Sequence, residues 1–325
     1  MFSPLKLLII NPFPPGTNPN PHLISYVGSA ASRVLGHSDL HIARFADAVS
    51  YLPESNAVLI FGSLAHAISE VSSLSKVCKR MNLPLCYWST DDPYEIDVNL
   101  ECRDFFDWIW TNDKASIQFY DMEEVEHLPL AADPQVHCLP FPDEESFYWY
   151  DVSFVGVEFP NRRELLEKLK PLLEALDTAV IGPNWTLEAR FIKKTRVSNQ
   201  EAAQISNRSR IVLNMSRSFD PRLMWANIRG IVPSTPGPRT FEAGGCSTVQ
   251  LVTWDQPEIE EYYLPEKEVI FCDGLDDIKE QIHDLVTNRE RRRAIAESSF
   301  KRTKACHLYD HRLQEISARI DTLIC

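Results

Sequence analysis

The sequence predicts an α/β fold of two domains, each built on a mostly parallel sheet, and three observations predict it. At 325 residues the chain exceeds the usual reach of one hydrophobic core. Hydrophobic residues make up 44% and charged residues 24%, enough apolar material for two cores, and no low-complexity stretch interrupts them. Short apolar runs alternate from end to end with amphipathic stretches, which is the pattern of βαβ units.

In the first half, Leu5 to Asn11, Ala57 to Gly62, Leu83 to Ser89 and Trp108 to Thr111 read as strands. Each runs into a turn or cap residue and then a helical stretch. In Ser63 to Arg80, for example, Leu64, Ile68, Val71, Leu74 and Val77 recur at three- and four-residue steps. Between Leu128 and Tyr150 the period vanishes: Pro129, Pro134, Pro140 and Pro142 and the cluster Phe147-Tyr148-Trp149-Tyr150 predict a linker. A second series follows, with strands at Asp151 to Val157, Ala179 to Gly182, Arg210 to Asn214, Thr248 to Thr253 and Glu268 to Cys272, and ends in helices. The expected domains are residues 1–145 and 146–306. A last helix, 307–325, carries the apolar stripe Leu308, Leu313, Ile316 and Ile320, which must be buried somewhere.

The formal charge of -13 argues against nucleic acid or an anionic membrane as a partner of the whole surface, because both repel an acidic protein. The longest apolar runs, Leu7 to Ile10 and Ala57 to Phe61, are too short to span a bilayer, and no signal-peptide pattern opens the chain. A cytoplasmic location is expected. The cysteines at 78, 86, 102, 138, 246, 272, 306 and 325 include no CxxC pair and no Cys/His zinc spacing, so they read as reduced thiols packed as small hydrophobes.

Against this acidic background, Ser206 to Phe241 holds Arg208, Arg210, Arg217, Arg222, Arg229 and Arg239, no lysine, and the single acid Asp220. Arginine without lysine suits bidentate capture of an oxyanion, since the guanidinium is a rigid fork of donors. Arg208 and Arg210 also read as partners of surface acids. Arg239 closes a Pro/Gly turn, Ser234-Thr-Pro-Gly-Pro-Arg-Thr-Phe-Glu-Ala-Gly-Gly-Cys, that runs into a helix start expected to be capped by Thr240. A helix start offers backbone N–H groups and a partial positive charge, which favour phosphate. Glu242, one turn in, suits the hydroxyls of a ribose; it is equally a plain capping preference.

Arg239-Thr-Phe-Glu-Ala-Gly-Gly-Cys, followed by Thr248 to Thr253 and by Pro265-Glu-Lys-Glu-Val-Ile-Phe-Cys-Asp-Gly-Leu-Asp-Asp-Ile, resembles the C-terminal domain of the CgeB-type (spore maturation) glycosyltransferase-like family. Asp151-Val-Ser-Phe-Val-Gly-Val, Arg162, Gly182-Pro-Asn-Trp185 and Ser209-Arg-Ile-Val-Leu-Asn214 extend the match upstream. In the first half it is carried by Trp88-Ser-Thr-Asp-Asp-Pro and Leu128-Pro-Leu-Ala-Ala-Asp-Pro. The resemblance implies a GT-B fold, two Rossmann-like domains facing a central cleft, with the final helix packed back on the first. It implies a nucleoside-diphosphate sugar, a UDP-sugar first among donors, bound by the second domain, an acceptor bound by the first, and neither metal nor cofactor. Glu242 then matches the ribose-binding second glutamate of the E-x7-E retaining transferases. The position eight residues earlier is Ser234, so the first glutamate is absent and a retaining mechanism is not inherited.

The donor set expected on these grounds is Gly156, Arg162, Gly182, Asn184, Trp185, Asn214, Arg217, Arg239, Thr240, Phe241 and Glu242. Gly156 would admit the diphosphate to the end of a strand, or make a tight turn. Arg162 would reach the same phosphates, and Trp185 would pack beside the base or in the core. On the acceptor side, His22 follows the loop Asn11 to His22 at a helix start and is a candidate base or a structural histidine. Asp91 and Asp92 follow the strand ending near Ser89, where adjacent carboxylates could raise one another's pKa and suit a general base; Asp-Asp-Pro is also a good turn and N-cap. Adjacent rather than alternate, they are no Asp-x-Asp metal motif. An epimerase of the same fold and a catalytically silent nucleotide-sugar binding protein are the rival readings.

Overall fold

The computed structural model describes residues 5–14, 16–17, 20–36, 39–142, 144–217, 225–254, 256 and 258–324. The chain forms two compact units. Among the described residues, the first takes in 5–130, 225–235 and 309–324, and the second 131–217 and 236–308.

The first unit carries a six-stranded parallel sheet of β1 (Leu7–Asn11), β2 (Leu40–Arg44), β3 (Ala57–Gly62), β4 (Leu85–Ser89), β5 (Trp108–Thr111) and β6 (Val125–His127), in the order β2-β1-β3-β4-β5-β6. Its helices are α1 (His22–Leu35), α2 (Phe45–Tyr51), α3 (Ile68–Met81), α4 (Ile96–Cys102) and α5 (Ile117–Tyr120). Every residue of β3 and β4 is buried, as expected of central strands covered by helices on both faces and therefore written as unbroken apolar runs. Edge strand β2 is mostly half-exposed, and its sequence Leu-His-Ile-Ala-Arg lacks the run that marks the others.

The second unit has α6 (Pro134–His137), β7 (Tyr150–Val155), α7 (Pro160–Glu174), β8 (Thr178–Ile181), β9 (Ile192–Lys193), α8 (Asn199–Asn207), β10 (Ser209–Asn214), α9 (Pro238–Gly245), β11 (Val249–Val252), α10 (Ile259–Tyr262), β12 (Ile270–Phe271), α11 (Leu275–Thr287) and α12 (Arg289–Cys306). Its strands are again all parallel, in the order β12-β11-β10-β7-β8-β9. Helix α8 opens with a complete capping box, Ser198 and Glu201.

Helix α13 (Tyr309–Ile324) lies in the first unit, where Tyr309 meets Tyr26 of α1 at 6.0 Å between ring centroids. Arg33 pairs with Asp310 at 2.7 Å, and Arg312 Nε donates to the Pro129 carbonyl at 2.9 Å. Residues 225–235 also belong to the first unit: Ala226 and Ile231 enter its core, Arg229 pairs with Asp97, and Ser234 N donates to Asp113 Oδ2 at 2.8 Å.

The stretch read as a linker is in its first part structured. Ala132 N donates to the His307 carbonyl at 2.9 Å, Ser247 Oγ to the Leu139 carbonyl at 2.6 Å and Asn207 Nδ2 to the Pro140 carbonyl at 2.9 Å. The boundary therefore falls after Leu130 rather than at 145, because hydrogen bonds fasten residues 131–142 to the second unit. No described helix is long and apolar enough to cross a membrane.

Candidate functional site

In the second unit β8 lies on one side of β7 and β10 on the other. A parallel sheet opens a ligand crevice outside the carboxyl ends of its strands at such a switch point. Gly156, Met215, Ser216 and the start of α9 mark that end of the sheet.

Several predicted donor residues build the rim rather than face a ligand. A Cβ on Gly182 would collide with the Gly156 carbonyl oxygen, so this glycine permits two neighbouring strand ends to touch. Trp185 is 2% exposed, donates from Nε1 to the same carbonyl at 3.0 Å and meets Phe154 edge-on at 6.2 Å. It is a core side chain, buried against Phe154 and the end of β7. Asn184 turns the loop between them in the left-handed region (φ 62°) and is exposed. A Cβ on Gly156 would lie 2.8 Å from the Phe154 ring, so the glycine makes room for packing.

Arg162, expected on the phosphates, is a clamp. Its guanidinium lies 5.1 Å from the Phe154 centroid and 4.9 Å from that of Phe159. It donates to the Met215 carbonyl from Nη2 at 2.8 Å, to the Ser216 carbonyl from Nε at 3.0 Å and to the Val157 carbonyl from Nη1 at 3.0 Å. Those carbonyls sit at the ends of β7 and β10, so the residue ties the rim together and spends its donors there. Asn161 Nδ2 joins it on the Ser216 carbonyl at 3.2 Å. Arg217 follows in the same loop, with its guanidinium 5.3 Å from the Phe159 ring.

Helix α9 supplies the other wall. Its N-cap is Gly237, without a side-chain cap, and a Cβ there would meet nothing within 4 Å, so the helix mouth is open. Thr240 does not cap it. The threonine is buried and its Oγ1 accepts from Asn214 Nδ2 at 2.8 Å. Asn214 Nδ2 also lies 3.0 Å from Gln250 Oε1, Gln250 Nε2 donates to the Thr240 carbonyl at 3.0 Å, and Gln256 Nε2 donates to the Asn214 carbonyl at 3.0 Å. This buried network fixes the mouth of α9 against β10 and β11, which makes Asn214 and Thr240 its supports. Phe241 is fully buried, with its ring 5.2 Å from His307 and 5.4 Å from Tyr262; it anchors α9 in the core and is no stacking platform.

The charged pair of α9 is different. Arg239 Nη1 lies 2.8 Å from Glu242 Oε2, with the arginine side chain 34% exposed and the glutamate 4%. His137 Nε2 approaches the other oxygen, Oε1, at 4.0 Å. Burial holds the His137 imidazole below its ordinary pKa of 6.5; the Arg239 charge adds to this, while Glu242 and Asp133 oppose it. The glycines that follow are packing holes. A Cβ on Gly244 would sit 2.5 Å from Thr303 Oγ1 and 2.6 Å from Tyr263 OH, and one on Gly245 would sit 3.0 Å from the His137 carbonyl oxygen.

In the first unit Phe13, Asn20, Leu23, Ile24, Phe61, Gly62, Thr90 and Asp91 line a depression of about 240 Å³. It lies at the carboxyl ends of β1, β3 and β4, the switch point of that sheet. Asp91 faces it and accepts from Thr90 Oγ1 at 2.8 Å. Asp92, 2% exposed, turns away. Its Oδ2 accepts from Ser89 Oγ at 2.9 Å, Thr111 Oγ1 at 2.6 Å and Tyr120 OH at 2.7 Å, and its Oδ1 from Asn99 Nδ2 at 2.7 Å. Four donors and no solvent leave no room for a substrate proton, which makes Asp92 a framework residue and not a base. His22 begins α1 and packs on Tyr26 with ring centroids 5.4 Å apart, beside the depression but not among the residues lining it.

Residues 162–318 match the family model described as glycosyl transferase-like, a span that starts at the Arg162 clamp and includes all of α9. The spore protein CgeB of Bacillus subtilis (strain 168) is 25% identical over 245 residues, 71% of this chain and 74% of that protein. Over these residues the chain is similar to the CgeB-like glycosyltransferases. Its fold is GT-B. The structure of HepE from Anabaena in complex with UDP and glucose superposes with a TM-score of 0.66 at 9% identity, covering 98% of this chain and 100% of that one. Sucrose-phosphate synthase from Thermosynechococcus elongatus gives 0.65 at 7% identity, covering 98% and 99%.

The arginine-rich segment of this glycosyltransferase does not form one site. Arg208 stacks on Phe147, 3.3 Å from its centroid, and Arg210 pairs with Asp151 and with Glu145, both at the amino-terminal edge of the second sheet. Arg229 is in the first unit, and Arg222 and Asp220 lie outside the described residues. Arg217 and Arg239 remain near the carboxyl ends. Sequence reasoning missed His137, Gln250 and Gln256. His137 was hidden in the proline-rich stretch that shows no helical period, and only Leu128-Pro-Leu-Ala-Ala-Asp-Pro pointed to that region. Among the described residues no three His, Cys, Asp or Glu side chains cluster as metal ligands.

Proposed function

We propose that this chain transfers a glycosyl group from a nucleoside-diphosphate sugar, a UDP-sugar in the first instance, to a hydroxyl of an acceptor. The second unit holds the donor and the first the acceptor. The observation that carries the reading is the α9 mouth: an uncapped helix start with Arg239 half-exposed and Glu242 buried behind it. The amide groups and dipole of that turn favour the diphosphate. Arg239 adds a full charge where the leaving group becomes more negative in the transition state, which is where fixed positive charge accelerates a reaction. Glu242 accepts from the ribose hydroxyls. Charge neutralisation by arginine makes a metal ion dispensable.

Asp91 is the group best placed on the acceptor side to take a hydroxyl proton, since it faces the depression and Asp92 does not. The apolar lining by Phe13, Leu23, Ile24 and Phe61 suits an acceptor with an apolar face. Incubation with UDP-, GDP-, ADP- and dTDP-sugars tests the reading. Free nucleotide released with a glycosylated product supports it. Donor isomerised without acceptor, or donor bound and left intact, would replace it with an epimerase or a binding protein.

A further inference from the structure

We propose that His137 is a positioning residue for Glu242: it fixes the carboxylate that receives the donor ribose, and so sets nucleotide affinity without touching the nucleotide. The inference rests on the donor-site reading above.

The tautomer follows from geometry. Asp133 N donates to His137 Nδ1 at 3.0 Å, and a nitrogen that accepts from an amide carries no proton, so in the neutral ring the proton is on Nε2. That nitrogen lies 4.0 Å from Glu242 Oε1, an electrostatic contact longer than a hydrogen bond, while Oε2 is held by Arg239 Nη1 at 2.8 Å. One oxygen thus faces the imidazole of α6 and the other is bonded by the arginine of α9. A carboxylate free to rotate presents no fixed pair of acceptors to a ribose diol; one addressed at both oxygens does. Burial lowers the imidazole pKa, so at neutral pH the ring faces Glu242 without cancelling its charge. Glu242, Arg239 and Asp133 are the charged groups that act on the ring.

The fold invests in this placement. Asp133 Oδ1 accepts from Gln135 N at 2.9 Å, and Pro134 occupies the first turn, so α6 is capped although it is a single turn. Gly245 sits three residues after Glu242 on α9, and the side chain it lacks would stand 3.0 Å from the His137 carbonyl oxygen and 3.3 Å from its Cβ. The glycine admits the His137 backbone to the surface of α9, from which the ring reaches Glu242.

The test is calorimetric titration of the full chain with UDP, GDP, ADP and dTDP, using whichever binds wild type most tightly. His137→Leu should weaken binding about two- to threefold, the low end of the range of a lost polar contact. His137→Gln, which keeps a donor near the Nε2 position, should recover most of the loss. In a Glu242→Ala background His137→Leu should cost nothing further, whereas a merely structural role would lower thermal stability in both backgrounds alike. If His137→Leu does not fold, His137→Asn, which retains an acceptor for the Asp133 amide and lacks the Nε2 donor, takes its place. Wild-type affinity in the His137 variants, or losses that multiply in the double variant, would overturn the inference. Wild-type affinity in Glu242→Ala, or no binding of any of the four nucleotides, would instead overturn the donor-site reading on which it stands.

Discussion

Arg239 and Glu242 stand three residues apart on α9 and meet at 2.8 Å, the first side chain 34% exposed and the second 4%. The arginine therefore has two duties, toward its buried partner and toward a diphosphate. Arg239→Ala should lower stability by about 1–3 kcal/mol, because it leaves a buried carboxylate short of a partner. It should also weaken a nucleoside diphosphate more than the corresponding nucleoside. Glu242→Ala should weaken both ligands by the same factor, since the ribose is common to them. Thermal unfolding together with titrations of uridine and UDP separates these outcomes; equal ligand affinities in wild type and both variants would move the nucleotide elsewhere.

Asp91 and Asp92 are expected to part company. Asp92→Ala strands Ser89, Thr111, Tyr120 and Asn99 at once, at a cost of upwards of about 3 kcal/mol, visible as a large drop in melting temperature. Asp91→Asn should keep the wild-type melting temperature while turnover falls by about 10²–10⁴-fold, the range of a lost general base. An active Asp91→Asn enzyme would end the assignment of Asp91.

Acidification should destabilise the second unit through His137. Its folded pKa lies below the ordinary 6.5, so between the two values the unfolded chain binds more protons than the folded one, and stability falls as pH drops through that window. Above about pH 6.5 the contribution to pH dependence vanishes. His137→Gln should flatten this part of the curve in thermal melts taken across pH 4–8; an unchanged slope would show that other groups carry it.

Gly182→Ala should cost about 1–3 kcal/mol or more, since the added methyl meets backbone, which cannot swing aside as a side chain can. Gly237→Ala, where a Cβ meets nothing within 4 Å, is the matched control and should melt like wild type.

Chelation should leave turnover intact, because Arg239 and the α9 mouth supply the positive charge that a metal would otherwise bring. Loss of activity in EDTA, restored by magnesium or manganese, would reject that division of labour.

The buried runs Ala57 to Gly62 and Leu85 to Ser89 announce central strands by composition alone, because a strand covered on both faces has no polar side to interrupt it. Strands β2, β6 and β9 carry no such run, being short or at an edge, and escape a reading by period. The turn before Arg239 and the pairing distance from Arg239 to Glu242 are likewise written locally, as is the resemblance of their motif to glycosyltransferases. What each side chain does there is not local. Trp185, Phe241 and Arg162 carry the residue types of ligand contacts, yet the tertiary structure spends them on Phe154, on the core around His307 and on the carbonyls of Met215 and Ser216. Asp92 differs from Asp91 only in which way its carboxylate turns, a choice made by donors from β4, α4, β5 and α5. His137 reaches Glu242 across more than a hundred residues of chain. Chain order sets composition, period and turns, whereas a side chain's partners depend on which elements packing brings beside it.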